Sequence, residues 1–346
     1  MSKDSKFKKA LYDGATPYLI GEVACIHEGD FEYLTNLIDE IIKKKSCDAI
    51  KYHILIDLDS HMTKSHEGYE LVTNLMLPKE KWASIIKKTK SRGFEVIVLV
   101  DDLKAVDFVR EYIGLIDAVE VHAIALNNIE MLDKVKELQI PIILGIGGSE
   151  IDDIKFAINY LNRKDILLMH GFQNYPTKYE YINFNKMIRI RNKFNLPMGY
   201  ADHTVWDNEN NELITLAGFM AGANFIEKHI ALEIGKERID FNSAISIDML
   251  SNIRKKMELL NKTKGDGSFE ISKYEKIYSK NGPMKFTIVA NRALKRGQII
   301  KKEDITFRRT GEENTINQRD YLNLIGKKVK KDIPKMGLVN WRNIEK

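Results

Sequence analysis

The sequence predicts an α/β fold: a (β/α)8, or TIM, barrel over residues 1–262, a linker over 263–285 and a small, mostly β module over 286–346. Three observations lead there. Eight short, almost wholly apolar runs recur at a spacing of about thirty residues, each followed by a segment of helical periodicity, as parallel strands covered on both faces require. No Gly-x-Gly-x-x-Gly follows the first run, and Gly145-Ile-Gly-Gly148 is too short a glycine signal to support a doubly wound open sheet. Past residue 262 the periodicity lapses into Lys, Gly, Ser, Asp and Asn before short strands resume.

In chain order, a basic N-terminal stretch precedes a first strand at 18–25, with Glu22 its polar member. Phe31, Leu34, Leu37, Ile38, Ile41 and Ile42 recur at three- and four-residue intervals and predict a helix over 31–45, with Asp30 as its N-cap. The second strand covers 48–55 and is followed by a polar loop containing His61 and His66. A helix at 79–91 leads into the third strand at 93–100, and further strands fall near 116–123, 140–147, 166–172, 197–203 and 224–231. The last helix of this part, near 246–261, aligns Leu250, Ile253, Met257 and Leu260. In the C-terminal module 286–290, 298–300, 305–309, 327–329 and 338–341 read as short strands among turns.

Composition narrows the class. At 44% hydrophobic and 30% charged the chain is ordinary for a globular protein. The net charge of +5 is mild, and Lys43-Lys44-Lys45 has no aromatic-studded basic motif beside it, so no nucleic-acid partner is expected. Cys25 and Cys47 offer neither a disulfide framework nor metal spacing. No apolar run approaches a membrane span, and the N-terminus lacks a signal-peptide core, so a cytoplasmic location is expected.

The chemistry concentrates at the carboxyl ends of the strands, where barrels carry their sites. The stretches 199–204 and 222–229 form a strand–helix–strand unit whose strands end in Asp202-His203 and Glu227-Lys228-His229. Neutral imidazole is the commonest protein ligand for a transition metal, so His203 and His229 are candidate ligands of a divalent ion, with Asp202 and Glu227 as groups that could orient them. Glu22, Lys51 and Asp202 form the candidate catalytic set: Glu22 as general base or water-orienting group, Lys51 as anion holder or Schiff-base amine. His53, Glu120, Gln173, Tyr175, Glu227, Asp240 and Arg309 complete the candidates as substrate-binding residues, and His122 and His170 also stand at strand ends. Polar groups inside a barrel are costly unless paired. Together these parts suit addition to, or cleavage next to, a carbonyl.

The motifs Ile20-Gly-Glu-Val-Ala-Cys-Ile-His-Glu-Gly29, Asp48-Ala-Ile-Lys51, Tyr175-Pro-Thr177, Gly199-Tyr-Ala-Asp-His-Thr204 and Gly222-Ala-Asn-Phe-Ile-Glu-Lys-His229 resemble those of the N-acetylneuraminate (sialic acid) synthase family. The segment from Phe286-Thr-Ile-Val-Ala through Gly326-Lys to Ile333-Pro-Lys-Met-Gly337 resembles that family's C-terminal antifreeze-like (SAF) domain. The resemblance implies a condensation of phosphoenolpyruvate, the three-carbon donor, with an N-acyl amino sugar to give a nonulosonic acid of sialic, legionaminic or pseudaminic type. It implies Mn2+ or Mg2+ on His203 and His229, Glu22 placing the attacking water or sugar, and Lys51 on the donor. It also implies a homodimer in which Arg309 reaches into the partner's barrel.

This chain departs from the family mainly on the donor side. Glu120 and Ala123 stand where a lysine and a serine are expected, Leu99-Val-Asp replaces Ser-Thr-Pro-Phe, and Gly145-Ile146, Phe172-Gln173, Ala201 and Ile26-His27 replace further polar residues. A glutamate in place of a cation opposes a phosphorylated carboxylate. Two other readings therefore stand beside condensation: a metal-dependent lyase, aldolase or epimerase that does not use phosphoenolpyruvate, and a catalytically silent sugar-binding homologue.

Overall fold

In the computed structural model, residues 5–171 and 174–345 are described. The chain divides into two compact units, 1–265 and 266–346. The first is a closed barrel of eight parallel strands: β1 (Tyr18–Glu22), β2 (Ala49–Ile54), β3 (Glu95–Val100), β4 (Ala118–Val121), β5 (Ile142–Gly145), β6 (Ile166–Gly171), β7 (Met198–Asp202) and β8 (Phe225–Ala231). Each strand pairs with the next in sequence, and β1 closes the ring on β8 with Tyr18 opposite Phe225 and Glu22 opposite His229. A two-residue strand, β9 (Ile245–Ser246), extends the edge of β8 beyond Ile230.

Alternation along the strands makes two separate cores. Leu19, Ile50, Val98, Val119, Leu144, Leu168, Tyr200 and Ile226 point outward and pack against the surrounding helices. Tyr18, Ile20, Ala49, Ile97, Ala118, Ile143, Leu167 and Phe225 point inward and fill the lower barrel, which α1 (Lys6–Asp13) plugs with Phe7, Ala10 and Leu11. The interior is thus apolar at its base and polar only one inward step higher.

Helix α2 (Phe31–Lys44) begins where the periodicity places it, and Asp30 accepts from the amides of Glu32 and Tyr33. The first strand is shorter than expected. Ala24 lies in the left-handed region at φ 48°, so the apolar run beyond Glu22 continues as a buried turn rather than as sheet. The polar loop expected after β2 contains two short helices, α3 (Leu58–His61) and α4 (Tyr69–Leu75), before α5 (Lys79–Ser91). Among the described residues no helix is long and apolar enough to cross a membrane.

The second unit has its own core, built on Ile288, Leu294, Ile300, Ile305, Ile316, Val329 and Val339. Among the described residues, its one ladder of several residues joins β10 (Thr287–Ala290) to β11 (Ile305–Arg308) in antiparallel fashion. The strands expected at 298–300, 327–329 and 338–341 pair at single positions only, Ile299 with Lys328, Val329 with Ile344 and Val289 with Leu338. Gly297 and Gly326, at φ 87° and 85°, turn the chain two residues from the first of these pairings and leave no length for a ladder.

Gly145, at the upper end of β5, accounts for one departure seen in the sequence. A Cβ there would sit 2.9 Å from the backbone nitrogen of Ala123, so no side chain fits while the turn after β4 keeps its path. Gly145→Ala is expected to lower unfolding free energy by about 1–3 kcal/mol, measured by urea denaturation. Wild-type stability in this variant would show that the turn is not held tightly there.

Candidate active site and metal centre

At the carboxyl end of the barrel, Glu22, His203 and His229 each present a ligand atom, and the three atoms lie within 4.8 Å of one another. The barrel closure explains the set. Glu22 and His229 are opposite each other in the β1–β8 register, and His203 follows the last residue of β7 on the neighbouring strand. The His203 and His229 rings meet edge to face, 4.8 Å between centroids. Ser243 Oγ lies 3.3 Å from His229 Nδ1 and donates to the Tyr175 hydroxyl at 3.1 Å, which steadies the ring from behind. A buried carboxylate with two imidazoles suits a divalent first-row ion, so the residues present fit the metal that the sequence implied. Sequence reasoning placed Glu22 as a general base or water-orienting group and not beside the metal. The signal it missed was barrel closure, which seats strand one beside strand eight.

Below this set lies a buried charge cluster. Lys51 Nζ is 3.1 Å from Glu22, 2.9 Å from Glu120 and 2.7 Å from Glu227, and all four groups are nearly inaccessible. His53 Nε2 lies 2.5 Å from the same Glu22 oxygen that Lys51 approaches. Burial disfavours the charged form of Lys51, but the three carboxylates override it and hold its amine well above the ordinary lysine range. Burial also pushes the Glu22 carboxyl up, yet Lys51 and His229 outweigh it and keep Glu22 well below the ordinary range. Glu227 is driven well above that range, first by burial and then by the Glu22 charge, and Glu120 is raised mainly by burial. Glu227 Oε2 is buried and meets no hydrogen-bond partner among the described residues.

These groups line a pocket of about 360 Å³, whose walls also include Cys25, His122, Tyr175 and Asp240. Asp240 ties the pocket rim together: its carboxylate accepts from the Cys25 amide at 2.9 Å and its carbonyl from the Tyr175 hydroxyl at 2.5 Å. The sequence candidates Glu22, Lys51, His53, Glu120, Tyr175, His203, Glu227, His229 and Asp240 therefore meet in one place. Gln173 lies outside the described residues. Arg309 belongs to the second unit, where its Nε donates to the Pro283 carbonyl at 3.0 Å.

Asp202 is a correction. It was expected among the catalytic groups beside His203, but its side chain leaves the pocket. Successive strand residues face opposite sides, so Asp202 turns outward between the barrel and the helix Asn211–Met220. There it accepts from Thr204, Thr215 and the buried ammonium of Lys228, which lies 3.1 Å away. His170 likewise faces outward, with Nε2 against the Ile182 carbonyl at 2.8 Å. Ser243 carries no motif, and Cys25 was read only for disulfide and metal spacing, so sequence reasoning gave neither a place at the site.

Fold and site together define a class: a (β/α)8 barrel with a buried carboxylate–imidazole set that could hold a metal at its carboxyl end, followed by a small β unit. The comparisons with known proteins give that class its family. Residues 38–269 match the NeuB family and residues 287–344 match the SAF domain, and the chain belongs to the NeuB family. It is 30% identical over 341 residues to an uncharacterised protein of Methanocaldococcus jannaschii, covering 96% of this chain and 95% of that one. It is 26% identical over 328 residues to the N,N'-diacetyllegionaminic acid synthase of Campylobacter jejuni, covering 89% and 94%. The crystal structure of a spore coat polysaccharide biosynthesis protein E from Chromobacterium violaceum superposes with a TM-score of 0.80 at 19% identity, over 96% of this chain and all of that one (100%), and shares the fold.

Two outcomes follow. His229→Ala should abolish tight binding of Mn2+ by calorimetry while changing stability little. Asp202→Ala should leave metal affinity intact but cost about 3–5 kcal/mol of stability, because it strands the buried Lys228 charge. The histidines also set a pH dependence. Burial, aided by the neighbouring His53, pushes His27 and His122 from 6.5 to about 4, and burial with His229 pushes His203 to about 3. All three are neutral when folded but bind protons near pH 6.5 when unfolded, so their contribution is complete above that pH and is lost as pH falls towards 4. The urea midpoint of the metal-free protein should therefore drop between about pH 7 and about pH 5, and a flat profile would show these rings charged in the fold.

Proposed function

We propose that this chain is a metal-dependent synthase of the nonulosonic acid type, joining a three-carbon unit to the aldehyde of an N-acyl amino sugar. The observation that carries it is the Glu22, His203, His229 set opening on a pocket with a buried, proton-bearing floor. A divalent ion held by those three residues would polarise a carbonyl oxygen as a Lewis acid. Two imidazoles among three ligands favour a first-row transition ion such as Mn2+ over Mg2+.

The protein's own groups account for the rest. Burial and the Glu22 charge push the Glu227 carboxyl well above the ordinary range, which places it to exchange a proton beside the reacting carbonyl. Glu22 stays ionised and orients His53. Tyr175 and Asp240 wall the sugar side of the pocket. The proposal extends to a cytoplasmic homodimer whose SAF domain brings Arg309 to the partner's site.

One observation favours a second reading, a lyase, aldolase or epimerase step on a related sugar without phosphoenolpyruvate. Lys51, the residue that the resemblance assigns to the donor, is already held by three carboxylates. A trianionic donor placed there meets more negative than positive charge.

The deciding experiment incubates Mn2+-loaded protein with phosphoenolpyruvate and a panel of N-acyl hexosamines, following phosphate release and product mass. Phosphate release with a nine-carbon product supports condensation. A cleaved or isomerised sugar without phosphate supports the second reading. Turnover of no sugar, with no sugar binding by calorimetry, overturns both.

A further inference from the structure

A chain of hydroxyls ties His229 to the pocket wall, and its polarity is fixed from one end. Asp240 stands in the left-handed region at φ 65° and opens a short 3-10 turn, Phe241–Ser243. Beyond that turn β9 runs beside β8 with Ile245 opposite Ile230, which seats Ser243 against His229. Ser243 is fully buried and His229 is 7% exposed, so protein groups rather than bulk water satisfy the serine hydroxyl.

A carbonyl oxygen accepts hydrogen bonds and never donates. The Asp240 carbonyl therefore takes the one proton of the Tyr175 hydroxyl, 2.5 Å away. With that proton committed, the Tyr175 oxygen acts only as acceptor towards Ser243, so the serine gives it its own single proton across 3.1 Å. The Ser243 oxygen then offers only lone pairs to His229 Nδ1, which lies 3.3 Å away. That nitrogen is the one that carries a hydrogen. The opposite nitrogen, Nε2, lies 3.2 Å from Glu22 Oε2, on the side of the candidate metal set. In a neutral imidazole one nitrogen donates and the other accepts, so a proton held on Nδ1 leaves the Nε2 lone pair for a cation.

We infer that Ser243 is a positioning residue for the metal: through a hydroxyl chain anchored at the Asp240 carbonyl it holds the His229 proton on Nδ1, so that Nε2 serves as the ligand atom. The inference rests on the metal assignment to Glu22, His203 and His229 and adds the group that selects the ligand nitrogen. It also gives Tyr175, a wall of the pocket, a part in setting the metal site. Without the Tyr175 hydroxyl the serine proton turns to Nδ1, which favours the opposite tautomer and puts a hydrogen where the ion belongs.

The test uses the full-length, 15N-labelled protein loaded with Zn2+, a diamagnetic ion that imidazole also binds. The His229 ring signals, assigned by their loss in His229→Gln, should show a hydrogen on Nδ1 that exchanges slowly with water and none on Nε2. In calorimetry Ser243→Ala should weaken Mn2+ binding about tenfold, and Tyr175→Phe should weaken it by a similar factor. The double variant should lose no more than Ser243→Ala alone, because both changes break the same chain, whereas independent losses of packing would add. A hydrogen on Nε2 in the loaded wild type, unchanged Mn2+ affinity in Ser243→Ala, or additive losses overturns the role of Ser243 and leaves the metal set and the functional reading standing. Failure of the wild-type protein to bind either ion overturns the metal set and this inference with it.

Discussion

A single buried lysine holds the centre of this barrel together. Three carboxylates converge on Lys51 from three strands, and without its ammonium they would repel one another in a largely buried setting. That neutralisation lets Glu22 remain ionised. An ionised Glu22 lies with two neighbouring histidines in a set that could hold a metal ion, so the charge balance at the barrel axis bears on what the pocket above it can hold.

The arrangement is layered. Apolar inward residues close the base under α1, the lysine–carboxylate cluster forms the next step, and the imidazoles stand above it at the mouth. Each layer is one alternation of the strands higher than the last. The same alternation sends Asp202 and Lys228 the other way, where they pin β7 and β8 to the helix outside. Adjacent residues in sequence thus serve separate purposes, one in chemistry and one in cohesion.

The donor side of the pocket differs from the pattern the resemblance implies in ways that support one another. Gly145 leaves the turn at Ala123 free to approach, and Glu120 brings a third carboxylate to Lys51. The structure after β2 adds a second chamber beside the first, lined by apolar side chains and by several histidines. The candidate metal residues Glu22, His203 and His229 stand together beside these changes.

How much was legible in the sequence follows from which interactions are local. Strand order and the helices were readable because hydrophobic periodicity is set by neighbours three, four or two residues away. The histidines and Lys51 stood out because polar residues in apolar runs are rare. What the sequence determined was the barrel, its polar strand ends and its family likeness. Tertiary structure alone decided that Glu22 joins His203 and His229, that Lys51 is shared by three carboxylates, that Asp202 faces away, and that Ser243 stands behind His229. Each of those depends on ring closure, register and side-chain direction between segments far apart in the chain, and short-range patterning carries no information about them.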